Sequence, residues 1–159
     1  MERNNGLSVF FPAYNEEENI QKTVEKALLV LKTLKLKDYE VMVVNDGSID
    51  GTAKVVESLA KKDRHIRLIN RAQNGGYGEA LKDGLYSAKY NYIVFTDSDG
   101  QFDFSEVKKF IEKADEADIV AGYRINRSDP PIRVLMGWVW TMLGNLLLGI
   151  GVRDVDCAF

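Results

Sequence analysis

The sequence holds one cysteine, Cys157, and one histidine, His65, in 159 residues. A single thiol makes no internal disulfide, so the chain is not a stapled secreted scaffold. A single imidazole excludes a multi-histidine metal cluster. It also argues against a histidine-based triad, because His65 sits in the charged run Lys61-Lys62-Asp63-Arg64-His65, which reads as solvated surface. An excess of positive charge is missing too. Lys and Arg total 21 against 24 Asp and Glu, which gives −3. Nucleic-acid binders are usually basic, so no nucleic-acid partner is expected. No leader is expected either, because Met1-Glu2-Arg3-Asn4-Asn5 runs straight into a strand-like segment. Signs of disorder are absent, since 45% of residues are hydrophobic and 28% charged, close to the globular average. A chain of this length buries a core without disulfides or a structural metal. It reads as one domain over residues 1–159.

What is present alternates between two periods. Leu7–Phe11 is a short apolar run ended by Pro12, a buried strand by pattern. From Glu16 the spacing turns helical, with Ile20, Val24, Ala27, Leu28, Leu31 and Leu34 on one face. Further strands are expected at Tyr39–Val44, Ile66–Ile69, Tyr92–Thr96 and Asp118–Ala121. Helices are expected over Thr52–Lys62, from Gly75-Gly76-Tyr77-Gly78 to about Lys89, and after a Ser105 cap through Val107, Phe110, Ile111 and Ala114. Continuous apolar strands alternating with helices predict an α/β fold. The sheet is doubly wound and mostly parallel, with helices on both faces. Residues 123–133 read as a mobile loop. Residues 134–152 run nineteen positions without a charge and read as an apolar helix. Four glycines, Thr141 and Asn145 interrupt it, and Arg133 and Arg153 flank it on both sides, so a membrane span is not expected. Two alternatives stay open: a helix buried in the domain, or one laid against a bilayer with Trp138 and Trp140 near the headgroups.

Ligands of such sheets sit beyond the carboxyl ends of the strands. Three polar clusters fall there: Pro12-Ala13-Tyr14-Asn15-Glu16, Asn45-Asp46-Gly47-Ser48 and Asp97-Ser98-Asp99-Gly100-Gln101. Asp97 and Asp99, one residue apart, can reach one cation, with Gln101 adding an oxygen. Hard oxygen donors suit Mg2+ or Mn2+, and such an ion neutralises charge on a diphosphate. The alternative is a polar turn capping the next helix. Asp46 and Ser48 sit where side chains hydrogen-bond a nucleoside; the plain reading is a strand-to-helix turn capped by Asp50. Gly75-Gly76-Tyr77-Gly78 lacks the Lys and Ser/Thr of a P-loop, and Leu81 breaks a dinucleotide fingerprint. Its glycines permit close backbone approach, with room for a phosphate. Glu16-Glu17-Glu18 suits the positive end of the first helix, and Glu16 lies nearest the strand end.

Taken together these segments resemble the family-2 glycosyltransferases of GT-A fold, closest to the polyprenol-phosphate sugar transferases of the dolichol-phosphate mannosyltransferase type. Pro12 to Glu16 is similar to P-x-Y-N-E, and Val43 to Thr52 to V-V-D-D-G-S-x-D-G-T. Asn74 to Leu81 is similar to N-x-G-x-G-x-A-L, and Asp97 to Asp103 to D-x-D-G-Q-x-D. Asp154 to Phe159 resembles an acceptor-side D-x-x-C/G-G/A/S-F. The resemblance implies inverting hexose transfer from a GDP- or UDP-sugar, with Mg2+ or Mn2+, to a polyprenyl (dolichyl or undecaprenyl) phosphate. The expected place is the membrane surface on the cytoplasmic side. It assigns Pro12, Tyr14, Glu16, Asp46, Ser48 and Asp97 to the nucleotide, and Asp97, Asp99 and Gln101 to the metal. Arg124 and Arg133 would meet phosphates. Asp154 or Asp156 would be the base if the acceptor were a glycan or glycolipid hydroxyl. Asn45 departs from the pattern, standing where the family has aspartate. The chain also stops at Phe159, where the family continues, so a domain cut on the acceptor side is expected. Rival readings are a nucleotide-binding piece without turnover, and a nucleotidyltransferase. The last lacks the Gly-rich basic loop expected after the first strand.

Overall fold

The apolar runs that alternate with helical periods come together as one parallel sheet. A computed structural model describes residues 6–99, 102–125, 130–155 and 157. Its elements are β1 (Leu7–Ala13), α1 (Ile20–Thr33), β2 (Tyr39–Asn45), α2 (Thr52–Ala60), β3 (Ile66–Asn70), α3 (Tyr77–Ser87), β4 (Tyr92–Phe95), a 3-10 turn (Phe104–Glu106), α4 (Val107–Lys113) and α5 (Pro131–Leu148). The strands pair in the order β3-β2-β1-β4, all parallel. The chain winds outward from β1 to β3, then returns to place β4 on the other side of β1. Winding therefore reverses between β1 and β4. At that point the loops leaving the strands diverge and a crevice opens.

Helices cover both faces. Phe10, Met42 and Val44 alternate onto one face and pack with Ala80 of α3. Gly84 lets α3 approach closely: a Cβ there would lie 2.4 Å from the Phe10 ring. On the opposite parity, Phe11 meets Phe104 at 5.9 Å between ring centroids. There α1 lies against β2, α2 and the 3-10 turn, burying Ile20, Val24, Ala27, Leu28 and Leu31. The 3.6-residue spacing read from the sequence is the stripe that is buried.

The structure differs from expectation in several places. Pro12 does not end β1, which pairs with β2 as far as Ala13↔Asn45. The ladder to β4 stops at Phe10↔Phe95. Ala13 accepts from Asp46 on the β2 side, so alternation turns Pro12 to the side where no N–H is needed. Helix α1 begins at Ile20, not Glu16, after a turn over residues 17–19. The cap before the 3-10 turn is Asp103, whose Oδ1 accepts the Ser105 N–H at 3.0 Å. No strand forms over 118–121. Ile119 is 84% exposed, so this run lacks the two-sided cover that an apolar parallel strand requires.

By packing, the chain divides into two compact units, Met1–Glu112 and Lys113–Phe159. In the second, Tyr123–Ile125 form neither helix nor strand, but the expected loop ends early because α5 starts at Pro131. Proline suits a first helical position, where its missing N–H costs nothing. The helix stops at Leu148, not residue 152, because Gly149 turns left-handed (φ 66°) and donates to the Asn145 carbonyl. Thr141 and Asn145, read as interruptions, are anchors. Thr141 Oγ1 accepts from Val155 N at 3.2 Å, and the Asn145 amide exchanges bonds of 2.8 and 3.0 Å with Val152. Only Gly137 and Thr141 of α5 are buried.

Candidate active site

The loop leaving β1 is laced to the loop leaving β2. Asn15 takes a left-handed conformation (φ 57°), which asparagine tolerates better than most residues. Its N–H donates to Ser48 Oγ at 2.9 Å, and its Oδ1 accepts from Ile49 N at 3.0 Å. Glu16 N donates to Thr52 Oγ1, and Glu17 N to Asp50 Oδ2. Gly51 N donates back to Glu17 Oε2 at 2.8 Å. Asp50 also accepts the Thr52 N–H, so the capping read from the sequence is present. Ser48 donates to Asn45 Oδ1, while Asn45 Nδ2 donates to Asn70 Oδ1 at 2.6 Å. Asn45 is buried and acts as donor and acceptor at once. An aspartate, all acceptor when ionised, could not give the bond to Asn70.

Asp46 is 4% exposed. Its carboxylate accepts the N–H of Gly75 at 2.9 Å and of Gly76 at 2.8 Å, and lies 2.9 Å from Arg71 Nε. Arg71 also pairs with Asp83. The glycine amides left open for a phosphate by the sequence are thus taken by Asp46. The close approach inferred from glycine is real but includes Gly47 (φ 68°): a Cβ there would fall 2.5 Å from the backbone of Gln73 and Asn74.

These loops wall a cleft of about 300 Å3. Pro12, Tyr14 and Glu16 line it from β1, Asp46 from β2, Gly76 and Tyr77 from the start of α3, and Asp97, Ser98 and Asp99 from the end of β4. Tyr77 crosses the cleft and donates its phenol to Asp97 Oδ1 at 3.0 Å. The turn after β4 is tied to α1, where Thr23 Oγ1 donates to the Ser98 carbonyl at 2.9 Å. Burial raises the Asp97 carboxyl above its ordinary range, against the Tyr77 bond, and the charges of Asp99 and Glu16 add to the rise. Burial and the facing Asp97 charge raise the Tyr77 phenol too.

A divalent cation fits this donor set. Carboxylates crowded together raise one another's cost of ionisation, and a cation relieves it. Among the described residues no three His, Cys, Asp or Glu side chains form a ready cage. Two carboxylates completed by substrate phosphates is the arrangement Mg2+ commonly uses.

Of the residues singled out in the sequence, Pro12, Tyr14, Glu16, Asp46, Asp97 and Asp99 share this cleft. Ser48 does not line it and instead holds Asn15 and Asn45 in place. Gln101 and Asp156 lie outside the described residues. Arg124 and Asp154 belong to the second unit, as does Arg133 in the first turn of α5. Asp154, 9% exposed, receives Arg124 bidentately, Nε to Oδ2 and Nη2 to Oδ1, both at 2.9 Å. Sequence reasoning missed Asn74, Tyr77 and Thr23. Asn74 and Tyr77 stand in a motif that was quoted, but a spacing pattern carries no hint of a bond to a residue twenty positions away. Thr23 reads as an ordinary helix residue.

The family model described as Glycosyl transferase family 2 matches residues 8–151. The dolichyl-phosphate beta-glucosyltransferase of Dictyostelium discoideum is 32% identical over 171 residues, which cover 96% of this chain and 52% of that protein. The undecaprenyl-phosphate 4-deoxy-4-formamido-L-arabinose transferase of Proteus mirabilis (strain HI4320) is 34% identical over 158 residues, covering 98% of this chain and 48% of its own. The chain thus spans about half the length of these relatives. Among solved structures, S. aureus TarS 1-349 in complex with UDP-GlcNAc superposes with a TM-score of 0.59 at 27% identity, covering 79% of this chain and 37% of that one. The parallel sheet with its helices is the GT-A type expected from the sequence.

Proposed function

Because the chain belongs to glycosyl transferase family 2, we propose that it forms the donor side of an inverting transferase. The reaction moves a hexose from a GDP- or UDP-sugar to a polyprenyl phosphate at the cytoplasmic membrane face. The carrying observation is the cleft at the β1/β4 reversal, where Asp46 stands with Asp97 and Asp99. Pro12, Tyr14, Glu16 and the Asp46-braced loop receive the nucleoside and exclude water from it. Asp97 and Asp99 hold Mg2+ or Mn2+, with Gln101 a further donor by resemblance. When bound, the ion neutralises the charge that develops on the departing diphosphate.

A phosphate acceptor is already mostly ionised near neutrality, its second pKa being about 6. It needs orientation and countercharge more than a strong base. Arg124 is the candidate for that need: Asp154 takes its Nε and Nη2 and so fixes the plane of the guanidinium, and a phosphate would share or displace that pairing. Arg133, at the exposed start of α5, is a second cation for the same class of ligand. The alternative of Asp154 as a base for a hydroxyl acceptor is disfavoured, because both its oxygens already accept from Arg124. The names of relatives acting on dolichyl and undecaprenyl phosphate support the lipid reading. So does α5, whose Trp138, Trp140 and Leu146 are 62%, 58% and 77% exposed, an apolar surface suited to a bilayer boundary.

The deciding measurement is calorimetric titration of UDP and GDP, with and without Mn2+, into the wild-type chain and Asp99→Asn. Metal-dependent binding of one nucleotide, lost in the variant, is expected. A folded chain that binds neither nucleotide would overturn the donor assignment.

A further inference from the structure

The turn that Asp46 braces leads straight into Tyr77. Asp46 takes the N–H groups of Gly75 and Gly76, and Arg71 lies beside the same carboxylate. Gly76 turns with φ 87° and opens α3, and Tyr77 is the first residue of that helix. Helix α3 is itself seated on the sheet through Ala80 and Gly84 against Phe10. The base of the Tyr77 side chain is therefore held from both sides. A tyrosine at the rim of a cleft, 49% exposed, ordinarily leaves its hydroxyl to water. This one spans the cleft and donates to Asp97 Oδ1 at 3.0 Å. Asp97 stands near two like charges, Asp99 and Glu16, so a carboxylate without a fixed donor would turn away from them.

We propose that Tyr77 is a positioning residue, whose O–H fixes the Asp97 carboxylate by Oδ1 and leaves Oδ2 for the divalent cation. This deepens the proposed donor site and rests on that reading. The structure links its two ends through one turn: the carboxylate assigned to the nucleoside, Asp46, sets the Gly75–Gly76 backbone, that backbone sets Tyr77, and Tyr77 sets Asp97. Groups that orient a metal ligand typically change metal affinity by about 10–100-fold when removed.

The test is Tyr77→Phe, which deletes only the hydroxyl. Mn2+ affinity is measured by calorimetry in the presence of whichever nucleotide the wild type binds, and nucleotide affinity is measured without metal. The expected result is Mn2+ binding weakened by about tenfold or more, metal-free nucleotide binding unchanged, and full occupancy recovered at high Mn2+. Equal Mn2+ affinity in variant and wild type overturns the role of Tyr77 and leaves the donor site standing. Parallel loss of metal-free nucleotide binding also overturns it, by making Tyr77 a general support of the cleft. Wild type that takes no Mn2+ with either nucleotide removes the donor reading and this one with it. Should Tyr77→Phe fail to fold, the tyrosine difference spectrum on adding Mg2+ to the nucleotide-loaded wild type decides. Tyr77 lines the cleft and donates to Asp97, so an unperturbed spectrum overturns the proposal.

Discussion

Asp97 stands half-buried in the company of Asp99 and Glu16. Burial and those charges raise its pKa over the opposing Tyr77 bond, so the folded chain holds this proton more tightly than the unfolded chain does. The stability that follows is fully present below the ordinary carboxylate range and is lost as pH rises through the raised value. At neutral pH the ionised Asp97 therefore destabilises the metal-free chain. Asp97→Asn is expected to raise its stability by about 1 kcal/mol, a few degrees in Tm, while abolishing Mn2+-dependent nucleotide binding. Thermal melts of both chains without metal, at neutral pH and again in mild acid, check this. A variant that melts lower than wild type at neutral pH sinks the argument. At this scale the place of Asp97 and Asp99 at the cleft was legible, because a D-x-D just past a strand falls at the sheet edge where such folds open a crevice. Ser48 braces Asn15 and Asn45 and does not line the cleft, because a hydroxyl three residues past a strand suits a loop brace as well as a ligand.

At the scale of elements, the sheet carries a polar network at the end away from the cleft. Glu40 in β2 is 4% exposed. It accepts from Ser8 Oγ of β1 at 2.7 Å, from Lys89 N at 2.6 Å, and from Arg67 of β3. Burial would push its carboxyl up, but these donors outweigh it and the net pKa is lowered. Its contribution is present above the ordinary glutamate range and is lost as pH falls through the lowered value. Glu40→Gln is expected to cost about 2 kcal/mol at neutral pH and to flatten the acid limb of stability. Urea unfolding across an acid pH series reads both effects. An unchanged acid limb would mean the network is not what acid breaks. The strands themselves were legible from their apolar runs. The missing strand at 118–121 was not, because four apolar-leaning residues read alike whether or not anything covers them.

Across the whole molecule, the first unit holds the cleft, and the second holds Arg124, Asp154 and α5. The second unit presents α5 with Thr141 and Asn145 turned to its own C-terminal segment. Large apolar side chains stand exposed around the rest. We expect the chain to sediment with anionic phospholipid vesicles, with a shift of tryptophan emission to shorter wavelength. Trp138→Ser combined with Leu146→Ser should weaken this about tenfold or more, since each withdrawn side chain removes about 1.5–3 kcal/mol of apolar transfer. Vesicle binding equal in variant and wild type would place the contact elsewhere.

The sequence alone determined the parallel α/β class, the strand ends that line the cleft and the carboxylate pair there, because periodicity and short-range spacing are local properties of the chain. Tertiary structure alone decided three things. Asp46 spends its oxygens on the Gly75–Gly76 turn, Asp154 is bound by Arg124, and Tyr77 reaches Asp97. The partners in each case lie twenty or more residues apart. Which donor meets which acceptor over that distance depends on how the strands are ordered and how closely the glycines let helix and loop approach, and no local pattern encodes either.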